Sequence, residues 1–347
     1  MYIASITYVT PQDRFDNDAA IDMLADRYFK DADQNGKQTA LAKVRDVLKR
    51  CGSGERYLDL DGARGRAMML IERAARSALA ESDVSASAID LIIYYGVARG
   101  WLEPSTAAAI QHVIGATRAS CFDVLEACAG WARALEVADG LMRTGRYRTA
   151  LLLGVEAGME PFGPLVRPVD QMDPTHLVSF TIGEAAAATV LIADEANHLR
   201  AEFRSLGDNY RLCMVTLDSI GAFLPVDHPG TPKGMQFFAI TDQLFQTATI
   251  AGIEIWRAAI EEIGVERIGL FAMHGASTRA TEVVRRALEI APDKWSCSFA
   301  QFGNTGPNTI PIALATAIKE GRLTRGQQVM CLVAASGITV GYCLFTY

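Results

Sequence analysis

No apolar run in this 347-residue chain approaches the roughly 18 residues of a membrane span, and no basic segment precedes a hydrophobic one near Met1. The sequence therefore reads as that of a cytoplasmic protein with no membrane span. Positive charge is also in short supply, with 33 Lys and Arg against 40 Asp and Glu and a formal charge of −7. Without a cationic excess to displace counterions from a phosphate backbone, nucleic acid is not an expected partner. The seven cysteines (Cys51, Cys121, Cys128, Cys213, Cys297, Cys331 and Cys343) are odd in number, scattered and free of any C-x-x-C pair. That pattern argues against a disulfide framework and against a structural zinc site. G-x-x-x-x-G-K-[ST], a G-x-G-x-x-G after a strand, G-x-S-x-G and H-E-x-x-H are all missing, so nucleotide hydrolysis and hydride transfer find no support. Neither a cofactor nor a metal is expected.

What is present is a globular composition, half apolar and 21% charged, on a chain long enough for about two domains. Residues 2–10 are β-branched and aromatic up to Pro11 and predict a strand. Helical spacing over 63–81 gives way to the short apolar run 89–95, and the alternation continues with a helix over 104–115 entered through Pro104. A strand over 120–126, a helix over 128–144 and buried strands over 148–156 and 185–193 complete a layered, largely parallel α/β half. A boundary near residue 195 divides the chain into 1–195 and 196–347. The second half echoes the first, with a strand over 199–207, a long helix over 235–263, a strand over 267–273, helices over 277–289 and 307–319, and strands over 328–335 and 339–346. Between them the Pro- and Gly-punctuated stretch 208–234 predicts an irregular cap over the site.

Three segments carry candidate chemistry. In Phe122-Asp-Val-Leu-Glu-Ala-Cys128-Ala-Gly-Trp131 a strand runs into a cysteine, small residues and a helix. Unpaired N–H groups at a helix start favour thiolate, and Ala127, Ala129 and Gly130 give a carbonyl access to the sulfur; a packed structural thiol is the alternative. His274 follows a buried strand on the face where open α/β sheets present their sites, a place that also suits a packed or capping histidine. Asn304 stands in the Gly-rich turn of Phe302-Gly-Asn304-Thr-Gly-Pro, where an ordinary turn residue or N-cap would also fit.

In the order Cys128, His274, Asn304 these segments resemble the thiolase-fold condensing enzymes, in particular their ketoacyl synthase III branch. Phe180-Thr-Ile-Gly183-Glu184-Ala, the ending Ala335-Ser336-Gly337 and the early Cys51-Gly-Ser-Gly-Glu-Arg56-Tyr57 add to the resemblance. It implies a five-layered αβαβα fold of two related halves and a homodimer, with acyl-coenzyme A or acyl carrier protein thioesters as substrates. It further implies that Cys128 takes up an acyl group while the backbone N–H groups of Cys128 and Ser336 bind the oxyanion. His274 and Asn304 would donate to the carbonyl oxygen of a second thioester during carbon–carbon bond formation.

The departures point away from a housekeeping member. Gly275, Ala276 and Ser277 follow His274 where the branch commonly has glutamine, alanine and asparagine, Ser336 stands in the usual triple glycine, and no Trp and Arg pair for the adenine of coenzyme A is evident. In Val97-Ala-Arg-Gly-Trp101-Leu-Glu103-Pro104, Glu103 replaces an apolar residue, a feature similar to head-to-head acyl-condensing enzymes in which a partner-subunit glutamate removes an α-proton. Burial in the partner's site would raise its pKa toward a useful range, and a solvated acid beside Pro104 is the alternative. The expected function is an acyl-thioester condensation in fatty-acid or polyketide-type specialised metabolism. The alternatives are acyl transfer to an oxygen, nitrogen or aromatic carbon, and an inactive subunit paired with a homologous partner.

Overall fold

The computed structural model describes residues 1–28, 33–59, 64–157, 178, 180–223 and 236–347. Two five-stranded sheets dominate it. The first is built from β1 (Tyr2–Val9), β4 (Leu91–Tyr94), β5 (Ser120–Asp123), β6 (Thr149–Glu156) and β7 (Ala185–Ile192), in the order β1-β7-β6-β4-β5; the short β2 (Arg14–Asp16) and β3 (Glu55–Tyr57) pair separately. The second is built from β8 (Arg200–Ser205), β11 (Ile268–Met273), β12 (Trp295–Ser296), β13 (Gln328–Ala335) and β14 (Thr339–Thr346), in the order β12-β11-β13-β14-β8. Read from β1 and from β8, each sheet has two antiparallel pairings followed by two parallel ones.

Strand alternation decides what fills each layer. Leu91, Ile93 and Leu152 of the first sheet face Leu270, Val329, Cys331 and Val333 of the second across Trp131, Leu135, Ile310 and Leu314. The last four belong to α5 (Gly130–Met142) and α9 (Thr309–Lys319), which form the middle helical layer. The opposite set, Ile92, Tyr94, Leu151 and Leu153, packs under α3 (Arg66–Ser82) and α4 (Thr106–Ile114). Phe271, Met273, Met330 and Leu332 pack under α6 (Thr241–Ile263) and α7 (Thr278–Ala287). The result is the five-layered αβαβα arrangement the resemblance implies. Among the described residues no helix is long and apolar enough to cross a membrane.

Three local expectations are corrected, and one stretch is added. Pro104 lies outside α4, whose N-cap is Ser105 with its side chain accepting from Ala108 N. The hydroxyl oxygen can satisfy an orphan helix N–H, which the proline ring cannot do. The helix expected over 235–263 starts at Thr241, because β10 (Gln236–Ala239) pairs with β9 (Cys213–Thr216) as a two-stranded ribbon. The stretch expected to be irregular thus holds β9 and two 3₁₀ turns up to Ala222, while its residues 224–234 lie outside those described. Residues 17–51, for which no elements were predicted, form α1 (Asn17–Tyr28) and α2 (Gln34–Cys51), an amphipathic pair buried through Ile21, Leu41, Val44 and Leu48. The end of α2 meets α7: Ser277 Oγ donates to Cys51 O at 3.2 Å and Thr278 Oγ1 to Gly52 O at 2.9 Å.

Candidate active site

The turn between β5 and α5 sets Cys128. Ala127 has φ +44°, the left-handed region that β-carbon-bearing residues rarely adopt. Cys128 then sits in a single 3₁₀ turn, Ala127–Ala129, rather than in the first turn of α5 as the sequence suggests. Burial pushes the Cys128 thiol up, and nearby Cys213 and Glu156 add to the rise. This reverses the expectation of a thiolate favoured by a helix start, because desolvation of the anion outweighs the partial charge of a few N–H groups. Cys213, at the head of β9, is itself pushed up to about 12 by burial, an effect partly offset by the Ser336 hydroxyl.

His274 directly follows β11, is buried, and receives its backbone anchor when its N–H donates to Leu332 O at 3.1 Å. Its Nδ1 lies 2.6 Å from Thr309 Oγ1. Burial pulls its pKa down to about 4, so the ring is neutral at pH 7. Asn304 is pinned through its backbone: its N–H donates to Thr181 O at 2.7 Å, and Gly183 N donates to Asn304 O at 3.2 Å. Gly183 is required at this crossing, since a Cβ there would collide with the carbonyl oxygen of Phe302. The Asn304 side chain accepts from Gly306 N through Oδ1 at 3.0 Å, which turns its Nδ2 donor end to other work.

Gly306 joins these parts. With φ +55° it takes a conformation natural to glycine, and its α-carbon sits against Glu156, whose Cγ would be 3.1 Å from an added Cβ. The turn is further tied down by Asn308, which accepts from Tyr95 OH at 3.0 Å and donates to Ala185 O at 3.1 Å.

Cys128, His274, Asn304 and Ser336 line one pocket of about 280 Å³. Its remaining wall is mostly apolar, running past Val215 and Phe237 of the ribbon to Leu244, Phe245 and Trp256 of α6 and Met273 of β11. Glu156 also lines it, and sequence reasoning did not single this residue out. Its carboxylate accepts from Val97 N at 2.7 Å and Ala98 N at 3.3 Å, and burial raises its pKa to about 8. The legible signal was a lone acid at the end of the otherwise apolar run 149–156.

Glu103 is not brought into this pocket; it is exposed, between the exposed Trp101 and Leu102 and Pro104. The loop that carries it is held at both ends. Glu156 takes the N–H groups of Val97 and Ala98, and Asp123 takes those of Thr106 and Ala107 at 2.9 and 3.0 Å while pairing with Arg99 at 3.4 Å. Among the described residues no cluster of three or more His, Cys, Asp or Glu could hold a metal.

A pocketed cysteine, histidine and asparagine between two sheets of matching topology define a thiolase-like condensing architecture. The profile for 3-oxoacyl-[acyl-carrier-protein] synthase III matches residues 122–207, and that for its C-terminal part matches residues 259–347. A β-ketoacyl-[acyl-carrier-protein] synthase III of Symbiobacterium thermophilum is 31% identical over 274 residues, covering 78% of this chain and 80% of that one. One from Bradyrhizobium diazoefficiens is 31% identical over 307 residues, covering 86% and 88%. The solved 3-oxoacyl-[acyl-carrier-protein] synthase III of Aquifex aeolicus superposes with a TM-score of 0.79 at 24% identity, covering 99% of both chains. OleA of Xanthomonas campestris superposes at 0.80 with 23% identity, covering 99% and 96%. The chain belongs to the 3-oxoacyl-[acyl-carrier-protein] synthase III family of acyl-condensing enzymes.

Proposed function

We propose that the protein joins two acyl units, with Cys128 as the nucleophile that takes the first from a coenzyme A or acyl carrier protein thioester. The observation that carries this reading is the convergence of Cys128, His274, Asn304 and Ser336 on one apolar pocket. An apolar chamber suits an acyl chain, and the few polar side chains in its wall suit a reacting thioester. In the first half-reaction Sγ attacks the acyl carbon, the backbone N–H groups of Cys128 and Ser336 bind the oxyanion, and the carrier leaves as a thiol. In the second, the acyl-Cys128 is attacked by the enolate of another acyl or β-ketoacyl thioester whose carbonyl oxygen accepts from Asn304 Nδ2, joined by His274 Nε2 when that nitrogen carries a proton, and the Cys128 thiolate leaves. The relatives' names support acyl carrier protein on one side of the reaction, and an OleA structure with bound lauric acid and lauroyl-CoA supports fatty acyl chains on this fold. The two halves are 1–195, bearing the nucleophile, and 196–347, bearing His274 and Asn304; their support is the shared order of strand pairings.

Glu103 acts in the partner subunit of a homodimer, as the base that removes an α-proton when condensation proceeds without decarboxylation. Its support is a braced loop that presents Glu103 outward with the apolar Trp101 and Leu102, beside edge strand β5 and the exposed Leu125. The test is product analysis by mass spectrometry with paired acyl thioesters, in wild type and in Asn304→Ala. A carbon–carbon coupled product that depends on Asn304 supports the reading. Acyl esters or amides as sole products would assign transfer to a heteroatom instead.

A further inference from the structure

Thr309 Oγ1 faces the inner edge of the His274 ring, 2.6 Å from Nδ1. The Thr309 hydroxyl donates its single proton to the Gly306 carbonyl at 2.9 Å, so Oγ1 has only lone pairs left for the imidazole. That contact therefore calls for a proton on Nδ1, since a bare Nδ1 lone pair would face another at close range. Thr309 has no freedom to turn away: it is fully buried at the first position of α9, with its backbone oxygen accepting from Ser298 Oγ at 3.0 Å.

We infer that Thr309 is a positioning residue that holds neutral His274 in the Nδ1–H tautomer, leaving Nε2 as a proton acceptor toward the pocket. This rests on the proposed function for its chemical consequence. As the Cys128 Sγ–C bond forms and the acyl C–S bond to the carrier breaks, the thiol proton passes to Nε2 and from there to the leaving carrier thiolate. Such an acceptor is what a thiol raised by burial requires. Asn304 Nδ2 is then the donor present in every protonation state of the site, while His274 donates from Nε2 only when it carries the extra proton.

The test is a long-range proton–nitrogen correlation of the imidazole rings in uniformly ¹⁵N-labelled full-length protein at pH 7, with His274 identified by comparison with His274→Gln. The inference expects a proton-bearing Nδ1 and a bare Nε2; the reverse pattern overturns it without any substrate or further variant. In Thr309→Val the ring is expected to lose this single tautomer, and Cys128 acylation to slow on the order of 10²-fold with KM for the donor changed less than about twofold. Thr309→Ser is expected to restore both. An unchanged ring pattern and acylation rate in Thr309→Val would also overturn it. Failure of wild type to be acylated by any thioester would count against the proposed function, whereas the ring pattern decides the tautomer independently.

Discussion

Thr339 Oγ1 donates to Glu126 Oε1 at 2.7 Å, joining the chain two residues before Cys128 to the hairpin that carries Ser336. The two backbone N–H groups proposed to bind the oxyanion come from these two segments, and this contact fixes their separation. Thr339→Val is expected to slow Cys128 acylation about tenfold, less than the loss of a whole oxyanion donor, because the donor is displaced rather than removed. Stability should fall by about 0.5–1.5 kcal/mol, the usual worth of one hydrogen bond. Single-turnover acylation and urea unfolding measure the two separately. A normal acylation rate in a destabilised variant would make the contact purely structural.

The Asn304 carboxamide is oriented by Gly306 N, and in the proposed reaction its donor end serves the condensation and not the formation of the acyl-enzyme. Asn304→Ala is therefore expected to acylate at the wild-type rate but to condense about 10²- to 10³-fold more slowly. Rapid-quench mass spectrometry resolves the two steps. Equal slowing of both would place Asn304 in the first half-reaction.

Two buried titratable groups in the pocket give opposite pH dependences. Burial raises Glu156 from 4.5 to about 8, so between those values the folded state holds a proton that the unfolded state releases, and stability falls as pH rises. Burial lowers His274 from 6.5 to about 4, so in that window the unfolded state binds a proton the folded state refuses, and stability falls as pH drops. The two slopes oppose each other in mildly acid solution. From pH 6.5 to 8 the Glu156 slope stands alone, so wild type should lose stability over that interval and Glu156→Gln should not. Urea unfolding at both pH values checks this, and parallel losses in the two proteins would contradict it.

Exposure of Glu103 in its own subunit makes its role testable by complementation. Glu103→Gln and Cys128→Ala, each unable to complete a non-decarboxylative condensation, are expected to regain product when co-expressed and assembled. A mixed dimer then contains one site with an intact Cys128 facing an intact Glu103. No recovery in a verified mixed dimer, or full activity of Glu103→Gln alone, would return Glu103 to the role of a solvated acid.

The elements buried on both faces were the legible ones. β6, β7, β13 and β14 are predominantly apolar and buried along nearly their whole length, and no exposed face competes for their assignment. His274 was legible because it follows such a run, Ile268–Met273, Cys128 because it stands among alanine and glycine between a strand and a helix, and Asn304 because it sits in a Gly-rich turn before a helix. β10 was read as helix because its four residues lead straight into α6, and only tertiary pairing with β9 separates them. The thiol's electrostatics could not be read locally, since desolvation depends on walls contributed by β9, α6 and the turn at Gly306. Thr309 was hidden for the same reason: its contact with His274 spans 35 residues and looks in sequence like an ordinary helix start.

The central claim is that Cys128 carries the acyl group. Intact-protein mass spectrometry of wild type and Cys128→Ala, each mixed with a panel of acyl-coenzyme A and acyl carrier protein thioesters, addresses it directly. The account predicts a single acyl adduct on wild type, mapped to Cys128 and lost in Cys128→Ala, with the best donor naming chain and carrier. An adduct of equal yield in Cys128→Ala would place the nucleophile elsewhere, and no adduct with any donor would contradict the account and favour a silent subunit of a larger enzyme.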